Sequence, residues 1–222
     1  MKIAMTPATI SQPTNARSRR TRAELLTAAH RILEEQGFDA LTMTAVAERA
    51  GVTRRAVYMH FATRAELVSA LFDHVAGAAG LEESLRGVWE ATDGADALDQ
   101  WAAHLARYHP RLLAVDRAVE RVRHSDHDAA AHRRRVAAEK LGNCRRLSRR
   151  LETENRLSDG WTAESAADML FALISSDMIE ALIVDRRWPR QRLAEQLALL
   201  LRSTFVLEPD RSRGDHHSGG SR

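Results

Sequence analysis

Apolar residues recur along this chain every third or fourth position, the spacing of helices with one buried face. The two-residue alternation of a half-buried strand is nearly absent. Thr21 followed by Glu24 is a capping-box pattern and predicts a helix start. Leu25, Ala28, Ala29, Ile32 and Leu33 then share one face, and Gly37 predicts the stop. A short helix capped by Thr44 follows, with Val46, Ala47 and Ala50 turned inward. Within "AVAERAGVTRRAVYMHF", residues 45–61, Gly51 can take the left-handed backbone that ends a helix without steric cost. Val52 then tucks into the core, and Thr53 can cap the next helix at once. Val57 and Phe61, four apart, hold that helix inward, which leaves Arg54, Arg55 and Tyr58 largely on the opposite face. Two short helices, a tight glycine turn and a polar outward face on the second predict a helix-turn-helix. Its second helix is about the right size for the DNA major groove.

Thr63 with Glu66 repeats the capping-box pattern and opens a longer helix with Leu67, Ala70, Leu71 and Val75 as its stripe. Glycine and acidic clusters predict breaks near residues 77–94. Helices are then expected over Asp96–His109, over Pro110–His124, and from Asp126 to about Asn155. Thr162 caps an apolar helix running to Asp185, and Pro189 suits the first turn of the last helix. The fold class is therefore all-α. A flexible basic arm is expected over residues 1–20, a three-helix helix-turn-helix DNA-binding domain over 21–68, a larger helical domain over 69–207, and a polar, glycine-rich, disordered tail over 208–222.

Composition narrows the picture. The chain has 222 residues and a hydrophobic share of 44%, enough for a folded core. No apolar run approaches the ~20 residues of a membrane span, and the polar N-terminus lacks the apolar middle of a secretory signal. A lone cysteine, Cys144, cannot form an internal disulfide, which fits a cytoplasmic location. Lys and Arg against Asp and Glu count 10 to 7 over residues 1–75 and 23 to 23 beyond, so the net +3 lies in the first third. "RSRRTR", Arg17–Arg22, concentrates it where a phosphate backbone could feel it, although a solvated basic arm has the same composition. Arginine outnumbers lysine 31 to 2, so arginine abundance alone says little about function.

The opening third carries a specific pattern: Gly37-Phe38, Leu41-Thr42-Met43-Thr44, Ala47, Ala50-Gly51-Val52-Thr53, Tyr58-Met59-His60-Phe61 and Arg64-Ala65-Glu66-Leu67. In order and spacing, residues 21–72 resemble the N-terminal unit of TetR-family transcriptional regulators. Arg55 stands where a small glycine is common in that family, and Arg64 replaces the usual lysine. Beyond residue 75 the likeness is architectural: length, helicity, and two final helices of dimerising type. The resemblance implies a C-terminal ligand-binding and dimerisation domain, phosphate contacts by Thr44, Tyr58, His60 and Arg64 with Thr42 helping, and base-edge contacts by Thr53, Arg54 and Arg55 at the start of the recognition helix. One such helix covers only a few base pairs, so a homodimer on a palindromic operator is expected, paired through about residues 162–206. There Met169, Leu173 and Ile183 face one side and Leu170, Ile174 and Leu182 another, with Leu193, Leu197, Leu200, Leu201 and Phe205 in the last helix. The alternative is burial of both sides within one monomer.

The resemblance also implies a small-molecule effector. Trp101, Leu105 and Tyr108 share a helical face with His104 close by, and Asp177, Ser175 and Ser176 interrupt an otherwise apolar helix. Either group could line a pocket or be satisfied within the core. Glu120, His124, Asp128 and His132 recur every fourth position as metal ligands can, but a predicted break near Ser125 spoils the alignment, and a solvated surface is the better reading. Arginines beside Cys144 could favour its thiolate, a redox role that is weakly supported. No nucleophile-elbow, dinucleotide, P-loop, HExxH or paired-cysteine pattern is present, so neither an enzyme nor a cofactor is indicated. The expectation is a cytoplasmic, ligand-responsive repressor that leaves its operator when a small molecule binds. The alternatives are a ligand-independent DNA-bound activator or scaffold and, further off, a DNA-acting enzyme.

Overall fold

Gly51 sits at φ 68°, ψ 31°, and its N–H bonds back to the carbonyls of Ala47 and Glu48, so the second helix stops where the sequence says it must. A Cβ at this position would meet nothing within 4 Å, so glycine is required by backbone conformation and not by crowding. Thr53 restarts the chain by accepting the Ala56 N–H. The computed structural model describes residues 15–78 and 80–207. In chain order the helices are α1 (Ala16–Gln36), α2 (Met43–Ala50), α3 (Arg54–His60), α4 (Arg64–Ala78), α5 (Leu81–Trp89), α6 (Gly94–Val122), α7 (His127–Thr153), α8 (Ala163–Leu173), α9 (Ser176–Glu180), a π-helical turn over Ala181–Asp185, and α10 (Arg190–Phe205). The only strand-like feature among the described residues is a single antiparallel bridge, Leu157 to Val206. The fold is all-α, and no helix of the described residues is long and apolar enough to cross a membrane.

Several boundaries differ from expectation. Helix α1 starts at Ala16, where Asn15 accepts the Ser18 N–H at 2.7 Å, and Thr21 bonds within the helix to the Arg17 carbonyl. The basic run Arg17–Arg22 is therefore helical. Residues 1–14 and the tail over 208–222 lie outside the described residues. The cap of α2 is Thr42, which accepts the Ala45 N–H, and not Thr44. A separate helix, α5, fills part of the expected break over 77–94. The two helices expected on either side of Pro110 are one, α6, with the proline inside it. Pro110 removes one ladder bond, but the helix is anchored on both sides of it and continues. The long helix expected after Thr162 breaks at Ile174, where Ser175 caps α9 through the Met178 N–H.

The apolar residues form two cores joined by α6. The first holds α1–α4, with Phe38, Phe61, Leu67 and Leu71 at 2% exposure or less, and it also takes in Val115, Ala118 and Val119 of α6 and Ala129 of α7. The second holds Trp101 and Leu105 of α6 with Leu147 and Leu151 of α7, Leu170 of α8 and Leu193, Leu197, Leu201 and Phe205 of α10. Each such aromatic or aliphatic side chain contributes about 1.5–3 kcal/mol when fully buried. The N-terminal head is thus not an independent bead, because its core is completed by the far end of α6.

Arg64, the first residue of α4, fastens this joint. Its Nε donates to the Leu41 carbonyl at 2.7 Å and its Nη2 to the Phe38 carbonyl at 3.2 Å, both in the head. Nη1 reaches Asp126 at 2.8 Å and Asp128 at 3.1 Å, at the start of α7. The guanidinium also lies over the Phe38 ring, 4.7 Å from its centroid. Asp126 in turn caps α7 by accepting the Asp128 and Ala129 N–H groups.

Buried polar side chains among the described residues are few: His60, His104, His109, His132 and Ser148. Burial holds three of the histidines neutral. The pKa of His104 falls to about 4, that of His109 to about 3 and that of His132 to about 4, with positive neighbours, Arg107, Lys140, and Arg135 with Arg133 respectively, acting in the same direction.

Two outcomes follow for stability. Arg64→Ala should lower the urea-unfolding free energy by roughly 1.5–3 kcal/mol, the worth of hydrogen bonds to a charged group. Arg64→Lys should recover only part of that, because one ammonium cannot serve two carbonyls and two carboxylates at once. For the histidines the folded pKa lies below the unfolded value of about 6.5, so the unfolded chain binds more protons between the two. Their contribution is complete above about pH 6.5 and is lost as pH falls toward about 4 and 3, by up to about 1.4 kcal/mol per pH unit for each histidine. Urea midpoints measured from pH 7 to 4.5 should fall, and His109→Gln should flatten that slope; an unchanged slope would contradict a neutral buried imidazole.

Candidate functional site

Helix α3 presents the polar surface. Seven residues at about 1.5 Å each give a rod of about 10 Å, comparable with a major groove about 12 Å wide. Val57 and Phe61, both fully buried, fix its inner face, so Thr53, Arg54 and Arg55 stand exposed at its N-terminal end. Arg54 donates to the Tyr58 hydroxyl at 3.2 Å and its guanidinium lies 5.4 Å from that ring. No carboxylate of the described residues pairs with Arg54 or Arg55. Tyr58 is half-buried, and Thr42 and Thr44 are exposed near the N-terminus of α2. The positive end of that helix dipole adds to the attraction this face offers an anion.

Two residues expected beside them are placed otherwise. The His60 ring is only 6% exposed, its Nδ1 has no partner, and burial together with the Arg22 charge lowers its pKa. Its carbonyl is held by Arg22 at 2.8 Å, and the Arg22 guanidinium lies over Phe61 at 4.3 Å. Arg64 is committed to Phe38, Leu41, Asp126 and Asp128 as described, so its guanidinium bolts the head to the body. Sequence reasoning assigns an outward role to both because their helical positions allow one, but the burial that overrides it depends on α1 and α7. Met59, 42% exposed on α3, is an apolar group on this face that the sequence pattern does not single out.

The second feature is a cavity of about 280 Å³ between α4, α5, α6, α7 and the α8–α9 break. Trp101, His104, Leu105, Tyr108, Ser175, Ser176 and Asp177, drawn from two distant stretches of sequence, all line it. Trp101, His104 and Tyr108 are stacked along α6 with ring centroids 5.1 and 5.2 Å apart, forming one aromatic wall. His104 Nδ1 lies 2.9 Å from the Ser84 hydroxyl, and burial raises the Tyr108 phenol well above its ordinary value. Sequence reasoning does not single out Phe72, His109, Asp116 or Lys140, which also line the cavity. The available signal is slight: Asp116 follows the apolar run "LLAV" within "LLAVDRAVE", and Lys140 is one of two lysines in the chain.

The metal and redox alternatives find other uses for their residues. Glu120 pairs with Arg123 and Arg133, Asp128 with Arg64, and the His132 ring stacks on Phe72 at 3.5 Å. No group of three or more His, Cys, Asp or Glu among the described residues is arranged to hold a metal ion. Cys144 is fully buried, and burial pushes its thiol up to about 12, the reverse of an activated thiolate.

Residues 25–71 match the family described as bacterial regulatory proteins, tetR family. A probable HTH-type transcriptional regulator of Pseudomonas putida, ArpR, is 40% identical over 86 residues, 39% of this chain and 38% of that protein. The chain thus spans little more than a third of the length of that relative. The HTH-type transcriptional repressor BepR of Brucella suis is 28% identical across 75% of this chain and 83% of its own. Among solved structures, NalD, the secondary repressor of the MexAB-OprM multidrug efflux pump in Pseudomonas aeruginosa, has the same fold with a TM-score of 0.68 at 22% identity, over 88% of this chain and 100% of that one. With the Gly51 turn, the Thr53-capped α3 and the helical body already in view, these matches identify residues 25–71 as a unit of the tetR family of bacterial regulatory proteins and give the body a fold shared with NalD.

Proposed function

We propose that this chain is a cytoplasmic, sequence-specific transcriptional repressor that binds a palindromic operator as a homodimer and releases it when a small molecule fills the α4–α7 cavity. The observation that carries the reading is the pair of exposed arginines at the start of α3, free of carboxylate partners among the described residues. An arginine bidentate to guanine contributes about 1–3 kcal/mol of discrimination per pair. Thr53, Arg54 and Arg55 are assigned to base edges, Met59 to a thymine methyl, and Thr42, Thr44 and Tyr58 to phosphates.

Dimerisation is assigned to α8 and α10. Their inner faces, Leu170, Leu193, Leu197 and Leu201, are buried in the chain's own core, yet Met169, Leu199 and Leu200 remain 41%, 62% and 41% exposed. Large apolar side chains left exposed on these two helices suit a self-complementary twofold contact. Release is assigned to α4, because the cavity borders Phe72, Asp73 and Ala76 at one end of that helix while Arg64 holds the head at the other. A hundredfold loss of operator affinity requires only about 2.7 kcal/mol of coupling.

Genomic fragments selected by the purified protein should yield a footprint of two half-sites about 34 Å apart or a multiple of it. Arg54→Ala, Arg55→Ala and Tyr58→Ala combined should abolish that footprint while sedimentation still reports a dimer; protection that survives the triple variant removes α3 as the reading element. Leu199→Glu with Leu200→Glu should give monomers and weaken operator binding by tenfold or more, since like charges would meet across the twofold axis. A dimer that persists in this variant places the contact elsewhere.

A further inference from the structure

The charge pattern of the cavity names a class of molecule, an inference that rests on reading the cavity as the effector site. Arg117 is bound to Glu180, Arg133 to Glu120, and Arg135 to Asp73 and Glu139, so each guanidinium on the wall is offset by a carboxylate of the same wall. Asp116, Asp177 and Lys140 remain. The Lys140 ammonium donates to the Ile174 carbonyl at 3.0 Å, freed by the α8–α9 break, and lies 5.9 Å from the Phe171 centroid; none of the described carboxylates is within ion-pair distance of it. Asp116 receives a single long bond, 3.5 Å from the Ser176 hydroxyl. An ionised carboxylate offers about four acceptor positions, so most of those on half-buried Asp116 are left for a ligand to fill. Burial accordingly pushes the Asp116 carboxyl upward, with the Lys140 charge opposing.

The remaining polar atoms point to the same chemistry. His109 and His132 are each 7% exposed, and Nδ1 of each has no hydrogen-bond partner. A neutral imidazole has one nitrogen able to accept an N–H, and neutral rings do not repel a cation. Asp116 lines the same cavity as the aromatic wall of Trp101, His104 and Tyr108, two helical turns beyond Tyr108 on α6. Indole and phenol faces attract an ammonium. Trp101 Nε1 is a buried donor without a partner, suited to an acceptor atom on the body of a ligand.

We propose that the cavity takes a protonated aryl-alkyl amine, its ammonium on Asp116 and its ring toward the Tyr108 end of the aromatic wall. A carboxylic acid would bring a further negative charge to a site that already holds two carboxylates against one ammonium. A neutral alcohol would leave the Asp116 charge uncompensated.

Three probes that share a phenyl ring and a short chain separate the cases: 2-phenylethylamine, 2-phenylethanol and phenylacetate, titrated calorimetrically into the full-length protein at neutral pH. The amine should bind tightest. Asp116→Asn should weaken it by about tenfold or more, the scale of a lost charge-assisted hydrogen bond, and leave the alcohol nearly unchanged. Lys140→Gln should tighten the amine and weaken the acid, and it carries the test if Asp116→Asn does not fold. Tightest binding by the alcohol or the acid, or an amine preference unaltered in both variants, overturns the amine assignment and leaves the effector cavity standing. Binding by none of the three, with operator binding intact, overturns the assignment and counts against the cavity as well.

Discussion

One guanidinium ties the two parts of this molecule together. Arg64 is the first residue of α4, and from that position it holds two carbonyls of the head, Phe38 and Leu41, and two carboxylates at the start of α7. Asp126 and Asp128 cannot relax toward other partners without exposing the first turn of α7, which Asp126 caps. The head therefore cannot rotate freely on the body, and its position follows that of α4. A 15-residue helix is about 22 Å long, so a small tilt at the cavity end becomes a displacement of several ångströms at α3. A lysine in place of Arg64 would satisfy fewer of these four partners.

The same helix that completes the head's core forms the floor of the cavity. Helix α6 enters the second core through Trp101 and Leu105 and reaches the first through Val115, Ala118 and Val119. This double anchorage explains why Pro110 does not end it: the lost ladder bond is a local cost, while both flanking segments are held by burial. It also explains where polar atoms accumulate. Between the two cores the α6 side chains face neither fully: His109 occupies that interval, with His104 and Asp116 at its two edges. The buried, unpartnered Nδ1 of His109 is a free-energy cost the folded chain carries, and on the effector reading a bound molecule offsets it.

The legibility of the sequence follows the range of the interactions. The Gly51 turn, the Thr53 cap and the inward pair Val57 and Phe61 depend on neighbours within a few residues, and the helix-turn-helix was readable from the pattern alone. The fates of His60 and Arg64 were not, because each is decided by a partner far along the chain: Arg22 over 38 positions, and Asp126 over 62. Helix α1 starts at the Asn15 cap and not at Thr21 because the longer helix keeps more of its backbone bonded. In the cavity, Trp101, His104 and Tyr108 were visible as one helical face, while Asp116 and Lys140 are brought to it from α6 and α7 only by the packing of those helices.

The break between α8 and α9 shows how a local preference shapes the interior. Continuous helix was expected through this apolar stretch, yet Ser175 turns its hydroxyl to the Met178 N–H and starts a new helix instead. Interruption leaves the Ile174 carbonyl without an intrahelical partner, and Lys140 takes it. An ammonium engaged by a carbonyl keeps its full charge, whereas one engaged by Asp116 would have neutralised the carboxylate and closed the interior electrostatically. The serine-induced break thus draws the lysine aside and leaves Asp116 with only the Ser176 hydroxyl. A continuous α8–α9 helix would bond this carbonyl within the helix, so the polarity of the cavity is set by a backbone event in its own wall.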